Sequence, residues 1–310
     1  MTFRVTILGS SSALPTPKRN PSAHALNVHE QFFLIDCGEG TQKQLRKCGI
    51  NPLKLKAVFI SHLHGDHVYG LFGLISTMGL MGRRTPLPVY APKPFDEILA
   101  CHLKYFDSAL PYEVQWHEVH TRQHELLYEN KTLEVWSIPL RHRVPAAGFR
   151  FQEKRPPLNL RKEAIETYGL GIAQRVAAKR GEDLLLEDGC LIPNSELTYT
   201  PYRERSYAYL SDTLYSAKAV KLVQGVDLLY HEATFAEADK GMARETGHST
   251  TLQAAKAARE AQAGKLLIGH FSSRYKDEQA LVAEARTIFP NTEAVIEGHS
   301  YDIPILKERL

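Results

Sequence analysis

Cysteine is scarce in this sequence. The 310 residues contain four cysteines without a C-x-x-C pair, and these are Cys37, Cys48, Cys101 and Cys190. A small disulfide-bonded scaffold and a zinc site made of thiolates both need closely spaced cysteines. The spacing argues against both and favours free thiols in a reducing cytoplasm.

Long apolar runs are also missing. The first one, Val5 to Leu8, is too short for a signal peptide. The most membrane-like stretch, Gly70 to Gly82, is interrupted by Ser76 and Thr77 and falls below the ~18 residues that a membrane span needs. We expect a buried helix there, no membrane partner and a cytoplasmic location.

A strong excess of positive charge is absent as well. The net charge is +3 and the pI is near 8.5, whereas a dedicated nucleic-acid-binding domain is more basic. Any RNA contact is therefore expected from local patches, and no DNA partner is expected. Apolar residues at 43% and charged residues at 24% are typical of a soluble enzyme. The length favours a single domain, residues 1–310, with an insertion.

What the sequence does contain is a cluster of histidines after an apolar run. Ser-His-Leu-His-Gly-Asp-His, residues 61 to 67, follows Leu55 to Ile60. His62 and His64 lie two apart in an extended segment, and we expect Gly65 to turn the chain and bring Asp66 and His67 close. Imidazole and carboxylate ligands suit zinc, manganese or iron, and so many ligands in one loop favour two metals over one. The alternative is a His-rich surface turn.

Later apolar runs end repeatedly in a histidine or an acid. Strands interleaved with helices indicate an α/β layered fold, in which ligands gather beyond the strand ends. The residues at those ends are His142, Asp212, His231, Glu232 and His270. A single histidine after a strand is more often structural, which is the alternative for His231. Together His142, Asp212 and His270 could complete two metal shells.

These motifs resemble the metallo-β-lactamase superfamily and, within it, the ribonuclease Z family, whose members trim tRNA precursors at the 3′ end. The resemblance covers nearly the whole chain. It rests on the histidine cluster and on four further blocks, which are Asp36 to Gln42, His231 to Thr234, His248 to Thr250 and His270 to Tyr275. It implies an αββα sandwich with an inserted flexible arm.

The resemblance also implies a ligand set. It assigns one metal to His62, His64 and His142, a second to Asp66, His67 and His270, and a bridging role to Asp212. It implies two zinc ions per subunit, or manganese, which would activate a water for attack on the phosphodiester. Asp66 would accept a proton, and His248, oriented by Glu232, would assist the leaving oxygen. The competing interpretation near His248 is a helix start, because Thr250 and Gln253 have capping-box spacing.

An insertion at residues 153–204 interrupts the strand rhythm. Residues 153 to 180 hold seven cations against three acids, and residues 181 to 200 hold five acids without Lys or Arg. The functional interpretation is an arm that grips RNA phosphates, and the alternative is a solvated insertion. The family's arm usually has a Gly-Pro tip, whereas Tyr168 to Ala173 lacks the proline. The RNA-binding candidates are Lys18, Arg19, Lys154, Arg155, Arg161, Lys162, Arg175, Lys179, Arg180 and Arg274.

We therefore predict an endoribonuclease that cuts tRNA precursors after the mature 3′ end, leaving a 3′-hydroxyl on the tRNA and a 5′-phosphate on the trailer. Precursor tRNA is the expected partner, and the family suggests a homodimer in which one subunit's arm serves the other's site. The alternative is a phosphodiesterase of the same fold that acts on small or cyclic diesters. A third hypothesis is an inactive RNA-binding scaffold, which the intact ligand set argues against.

Overall fold

Two seven-stranded sheets are the framework of the protein. The computed structural model describes residues 1–14, 16–106 and 109–306, so Pro15, in the loop that carries the RNA-binding candidates Lys18 and Arg19, lies outside the described residues. The α/β expectation is confirmed by the two sheets and the helices that flank them.

The first part of the chain supplies most of one sheet. Its elements are β1 (Phe3–Gly9), β2 (Ala23–Val28), β3 (Gln31–Ile35), α1 (Thr41–Lys47), a 3-10 helix (Pro52–Lys54), β4 (Leu55–Phe59), α2 (Gly65–Leu80), β5 (Leu87–Ala91), α3 (Phe95–Tyr105) and β6 (Val114–Glu118). Sequence patterns missed β2. Gly65 is the first residue of α2, where the extended chain becomes helical, and Asp66 and His67 lie close together as expected.

The middle of the chain begins the second sheet and then leaves it. Three strands come first, β7 (Leu126–Glu129), β8 (Leu133–Pro139) and β9 (Ala147–Glu153), of which β7 was not predicted. The arm (residues 153–204) then folds into short elements, β10 (Asn159–Leu160), α4 (Lys162–Thr167), α5 (Ile172–Lys179), β11 (Leu184–Leu185), β12 (Leu191–Ile192), α6 (Asn194–Leu197) and β13 (Thr198–Tyr199). A separate small core, which includes Leu170, Leu184 and Leu197, holds the arm together.

The last part completes both sheets. Its elements are β14 (Ser206–Leu210), α7 (Ala217–Leu222), β15 (Leu228–Glu232), a 3-10 helix (Glu237–Asp239), α8 (Lys240–Thr246), α9 (Thr251–Glu260), β16 (Lys265–Gly269), α10 (Gln279–Arg286), β17 (Thr292–Ala294) and β18 (Ser300–Asp302). The predicted capping box of Thr250 and Gln253 is present at the start of α9.

The strand orders are β18-β1-β2-β3-β4-β5-β6 in one sheet and β17-β16-β15-β14-β9-β8-β7 in the other. Alternation along β3 shows why both faces are covered. Phe33 and Ile35 enter the core between the sheets, while Leu34 packs with the helices on the outer face. Across the sheets, the Phe33 ring lies 5.9 Å from the Phe151 ring. The layers are therefore helix, sheet, sheet, helix.

Membrane spans were not expected from the sequence. Among the described residues, every helix is too short or too polar to cross a bilayer. The stretch from Gly70 to Gly82, singled out as a buried helix, falls largely within α2. That helix buries Leu71, Leu74 and Ile75 completely.

A buried ion pair joins the two ends of the arm. Glu153 and Arg205 are 1% and 3% exposed, and the Arg205 Nη2 donates to Glu153 Oε1 at 2.7 Å. Arg205 also donates through Nε and its backbone N–H to Glu153 Oε2, at 3.0 and 2.8 Å. Because the carboxylate accepts several hydrogen bonds from one residue, the entry to and the exit from the arm are held together.

We expect Glu153→Gln to lower the free energy of unfolding by about 3 to 5 kcal/mol, because it strands a buried guanidinium. A matched control is Glu129→Gln, which breaks the more exposed pair with Lys154 and should cost about 1 kcal/mol or less. Urea unfolding of both variants at neutral pH measures the difference. Equal losses would contradict a special role for the buried pair.

Candidate metal centre

The loops that follow several strands meet at one edge of the sandwich. His62 and His64 follow β4 of the first sheet, while His142 follows β8 of the second. Asp212 lies two residues after the end of β14 and His270 directly after β16. Both strands run parallel to the strand between them, β15. Parallel strands end at the same edge, so their terminal side chains converge. All seven residues predicted as metal ligands lie in this one cluster.

Asp212 lies between two groups of ligand atoms. Its Oδ2 faces the His62 group (His62, His64, His142), 3.5 Å from His62 Nε2 and 3.8 Å from His142 Nε2. Its Oδ1 faces the His270 group (Asp66, His67, His270), 3.2 Å from His270 Nε2 and 3.6 Å from His67 Nε2. Each oxygen of one carboxylate therefore faces a different group, an arrangement that suits a bridging ligand.

The His62 group is compact. Its three side chains converge on the Nδ1 of His64, which lies 3.0 Å from His62 Nε2 and 3.4 Å from His142 Nε2. In the other group, Asp66 Oδ2 is 3.3 Å from His67 Nε2 and 3.5 Å from His270 Nε2. Such separations between ligand atoms allow one small cation to contact each whole group.

Hydrogen bonds behind the cluster set the tautomer of His67. Its Nδ1 donates to Asp36 Oδ2 at 2.7 Å, so its Nε2 points into the cluster. Asp36 is fully buried and also accepts from the Ser61 hydroxyl and from the Tyr209 hydroxyl, at 2.8 and 2.7 Å. The backbone of Asp36 has a φ of 54°, a left-handed conformation that an aspartate tolerates better than most residues.

Two further imidazoles are oriented in the same way. His142 Nδ1 donates to the Gly247 carbonyl at 2.9 Å, and His270 Nδ1 lies 2.9 Å from the Thr234 hydroxyl. That hydroxyl in turn donates to Glu232 Oε2 at 2.7 Å. As for His67, the outer nitrogen is occupied by the protein and the Nε2 lone pair is left for the cluster. His270 has a φ of 60°, which belongs to the sharp turn after β16.

Two buried imidazole nitrogens without hydrogen-bond partners give independent support for a metal site. The Nε2 atoms of His67 and His270 are buried and have no hydrogen-bond partner among the described residues. Buried polar atoms are almost always satisfied, so two such atoms facing the same carboxylate point to a missing cation. The donor set of imidazoles and carboxylates suits zinc or manganese. The cluster can therefore bind metal.

The shifted pKa values of several histidines favour metal binding. Burial lowers the pKa of His62 and His64, and it lowers the pKa of His142 to about 4. These imidazoles are neutral at pH 7 and hold free lone pairs. Burial also lowers the pKa of His67, but neighbouring carboxylates outweigh it and hold that pKa well above its ordinary value. A cation in the cluster therefore competes with a proton for the Nε2 of His67.

His248 and Glu232 form a pair beside the cluster, as predicted. His248 Nδ1 lies 3.1 Å from Glu232 Oε1, and the His248 ring is 5.1 Å from the His142 ring. Burial opposes the charge on His248, yet Glu232 raises its pKa to about 9. Glu232 is fully buried and also accepts from the backbone N–H groups of Thr213, Thr234 and Ser249. The carboxylate is therefore fixed, and it fixes the imidazole.

His231 lies outside the cluster. It is buried, and its Nδ1 donates to the Glu232 carbonyl at 2.7 Å. Because side chains alternate along a strand, His231 and Glu232 face opposite sides of β15. This placement agrees with the structural role considered for His231.

A cleft of about 580 Å³ opens over the cluster. Its lining includes His64, Asp66, Asp212, His248 and His270. It also includes Tyr69, Arg143 and Phe235, which the sequence argument did not single out, and Thr234, which lies in one of the motif blocks but had no assigned role. Arg143 directly follows a predicted ligand, so the pattern of polar residues after strands contained a signal for it. Asp36 was noted only as part of a motif, and its hydrogen bond to His67 was not predicted.

The predicted RNA contacts outside the arm differ in availability. Lys18 is exposed in the loop between β1 and β2. Arg19 is 12% exposed, pairs with Glu278 at 3.2 Å and lies over the Phe271 ring, so it is occupied by packing. Arg274 is 39% exposed and pairs with Asp239. Lys18 is thus the more available cation of this loop.

Some of the predicted RNA-binding cations of the arm are engaged by neighbouring residues, and others are exposed. Lys154 pairs with Glu129 at 2.8 Å, and Arg161 lies over the Tyr199 ring and donates to the Thr198 carbonyl. The remaining candidates are exposed, namely Arg155, Lys162, Arg175, Lys179 and Arg180. Three of these, Arg175, Lys179 and Arg180, lie on or directly after α5. The structure brings none of the arm cations to the lining of the cleft.

Solved structures with this fold define the class. Human tRNase Z, short form, is 26% identical with a TM-score of 0.71, and the match covers 97% of this chain and all of that chain. The metallo-β-lactamase-fold protein YhfI from Bacillus subtilis is 20% identical with a TM-score of 0.69, covering 97% and 98% of the two chains. A family model described as anti-Pycsar protein Apyc1 matches residues 3–135. The protein has the metallo-β-lactamase fold, with a His/Asp cluster that can bind metal.

Sequence relatives narrow the class to one family. Ribonuclease Z of Bacteroides thetaiotaomicron is 44% identical over 290 residues, which cover 94% of this chain and 92% of the relative. Ribonuclease Z of Porphyromonas gingivalis is 45% identical over 301 residues, which cover 97% and 99%. The chain belongs to the ribonuclease Z family, and the resemblance drawn from its motifs is confirmed.

We expect Asp212→Ala to weaken binding at both metal positions, because one carboxylate faces both groups. The matched control is Glu39→Gln, since Glu39 lines the same cleft outside the cluster and should leave the metal content unchanged. Elemental analysis of the purified proteins measures this. Two ions bound at full occupancy in Asp212→Ala would rule out the bridging role.

Proposed function

We propose that this protein is a metal-dependent endoribonuclease that removes the 3′ trailer from tRNA precursors, leaving a 3′-hydroxyl on the tRNA and a 5′-phosphate on the trailer. The observation that carries the proposal is the position of Asp212, whose two oxygens face two groups of ligand atoms in the cleft of a ribonuclease Z-family chain. Two neighbouring cation positions are the arrangement used by many phosphodiester hydrolases.

The ligands we assign follow the two groups in the structure. His62, His64 and His142 would hold one zinc ion, Asp66, His67 and His270 a second, and Asp212 would bridge them, with manganese as the other candidate metal. Such ions, when bound, activate a water for attack on phosphorus and offset the charge that develops on the phosphate oxygens.

The protein's own side chains would move the protons. Burial raises the pKa of Asp66, but His67 and His270 outweigh it and keep the pKa well below its ordinary value, so this carboxylate is ionised and suited to a cation. It is a weak base, and it would accept a proton only from a water that the metals have made acidic. His248 has its Nδ1 engaged by Glu232, which leaves Nε2 for the cleft. With a raised pKa, His248 is protonated at neutral pH and can donate from Nε2 to the leaving 3′ oxygen.

One assay separates this function from its alternatives. The protein would be incubated with zinc or manganese, with an end-labelled tRNA precursor and, separately, with a small chromogenic diester. Cleavage of the precursor after the mature 3′ end supports the proposal. Hydrolysis of the diester alone would favour the small-substrate phosphodiesterase, and RNA binding without hydrolysis of either would favour the scaffold.

We expect His248→Ala to keep both metals and to lower kcat for the precursor by ~10² to 10⁴-fold, the usual effect of losing a general acid. A diester with p-nitrophenolate as its leaving group needs no proton and should be hydrolysed nearly as fast as by the wild type. Equal losses on both substrates would assign His248 to positioning of the site, and unchanged precursor cleavage would show that His248 takes no part in the reaction.

The arm begins at the end of β9 that is far from the candidate metal centre. Strand β9 begins at Ala147, whose N–H donates to the Ser61 carbonyl beside the cluster, and ends at Glu153, where the arm begins. Seven residues of extended strand separate these ends by about 20 Å. The exposed cations of the arm are therefore suited to phosphates of the tRNA body, outside the cleft.

This placement also supports the proposed homodimer. An arm rooted at the far end of the sheet from its own cleft is better placed to hold RNA bound at another subunit's cleft. Mixing an arm-deleted protein with the Asp212→Ala variant should restore precursor cleavage, because only mixed dimers combine an intact cleft with an arm on the partner subunit.

The free cysteines of the chain fit the proposed cytoplasmic location.

We expect replacement of residues 156–202 by a short linker to leave hydrolysis of a small diester intact, because the predicted ligands lie outside the arm. Precursor cleavage should fall mainly through a higher KM, and the salt dependence of binding should become shallower as phosphate contacts are lost. KM and affinity measured across a salt series test this.

A charge-matched pair of variants controls for loss of the arm's fold. Neutralising Lys162, Lys179 and Arg180 with glutamine should weaken binding, whereas neutralising the acids Glu182, Asp183 and Glu187 should not. An arm-deleted protein that folds, binds metal and retains the wild-type KM and salt slope would refute the role of the arm.

A further inference from the structure

Tyr69 is placed in an unusual way beside the candidate metal centre. A Cβ added to Gly65 would lie 2.2, 2.5 and 2.7 Å from three consecutive atoms of the Tyr69 ring, with Cε2 the nearest. If the added Cβ lay in the plane of the ring, outside its edge, its distances to the second and third ring atoms would be much longer than its distance to Cε2. The Tyr69 ring therefore lies with one face against the Cα of Gly65.

This placement follows from the helix. Residues four apart share one face of a helix, and side chains lean toward the N-terminal end. Tyr69 therefore folds back over the first turn of α2, which carries Asp66 and His67. The ring can lie flat there only because residue 65 has no side chain.

The other face of the ring is open. Tyr69 is 69% exposed, although it is a large aromatic side chain in a well-packed helix. It lines the cleft together with His64 and Asp66 on its own side and Phe235 and His248 from the second half of the chain. The helix thus supports a flat aromatic surface, held on one face and accessible on the other, at the rim of the candidate metal centre.

We propose that Tyr69 is a stacking platform for the nucleobase of a nucleotide next to the scissile phosphate. The inference rests on the proposed endoribonuclease function and specifies how its substrate is held. Every base has a π face, so an exposed tyrosine binds unpaired nucleotides with little dependence on sequence. A fixed platform at this rim positions the adjoining phosphodiester over the metal ligands without contributing charge to the chemistry.

The first experiment measures KM and kcat for an end-labelled tRNA precursor. Tyr69→Ala should raise KM by about 5- to 100-fold, the range expected for one lost base stack, while Tyr69→Phe retains the platform and stays close to the wild type. Tyr69→Leu, which keeps apolar bulk without a π face, should resemble Tyr69→Ala. Tyr105→Ala removes a tyrosine of matched exposure, 68%, on α3 away from the cleft, and should change nothing.

A second experiment tests stacking directly with precursors that carry a single abasic nucleotide at successive positions around the cleavage site. For the wild type, one position should raise KM as Tyr69→Ala does. For Tyr69→Ala, the abasic change at that position should add no further loss, because its stacking partner is already gone. Independent, multiplying losses at every position would overturn the proposal, as would an unchanged KM in Tyr69→Ala.

The outcomes also separate this inference from the proposed function. If the wild type cuts precursor and Tyr69→Ala cuts it equally well, the stacking role is wrong and the endoribonuclease function stands. If the wild type cuts no precursor with zinc or manganese, the proposed function fails and the stacking role fails with it. Metal content measured on each variant shows that the centre itself is intact.

Discussion

The buried carboxylate of Asp212 is the constraint on which the candidate site depends. A carboxylate removed from water is strongly unfavourable unless positive charge or hydrogen-bond donors surround it. Here its two oxygens face imidazoles from both sheets, with His62 and His67 contributed by the first sheet and His142 and His270 by the second. The cluster therefore exists only when the two sheets pack together, which couples formation of the site to formation of the fold.

A polar layer between the sheets maintains that coupling. Asp36, which follows β3 in one sheet, accepts a hydrogen bond from Tyr209 on β14 in the other and from His67 in the cluster. Next to it, His24 lies 2.9 Å from the Tyr207 hydroxyl, with its ring edge-on to neighbouring tyrosines. Burial lowers the pKa of His24 to about 3, so it remains neutral in the core. The relative position of the two sheets therefore affects, through Asp36, the orientation of the His67 imidazole.

Groups that suit cations and groups that suit phosphates lie in different parts of the structure. The cleft concentrates carboxylates and imidazoles suited to cations, whereas the exposed cations of the arm begin at the opposite end of β9. The buried pair of Glu153 and Arg205 anchors the arm at that end. Under the proposed function, an RNA substrate would gain affinity from contacts between its many phosphates and the arm, while the chemistry would depend on one phosphate in the cleft. The two properties can therefore change independently.

Features made by residues close together in the chain could be predicted from the sequence. The histidine cluster from His62 to His67 is contiguous, and the residues that follow apolar runs, such as Asp212 and His270, could be picked out because parallel strands end at a common edge. The capping box at Thr250 was likewise readable from its spacing. Strands β2 and β7 were missed because they are short, six and four residues, and depend on pairing with neighbouring strands rather than on a distinct local pattern.

Other features depend on contacts between residues far apart in the chain. Sequence could not show that Arg19 is occupied by Glu278, that Glu153 pairs with Arg205, or that each oxygen of Asp212 faces a different group. Periodicity in the sequence indicated the layered α/β class, and its motifs indicated the family and, through the family resemblance, the candidate ligand residues, because such motifs are local. Which cations are exposed, where the arm is anchored and how the Tyr69 ring lies depend on packing across the two sheets and within α2, which sets distances that residue spacing does not contain.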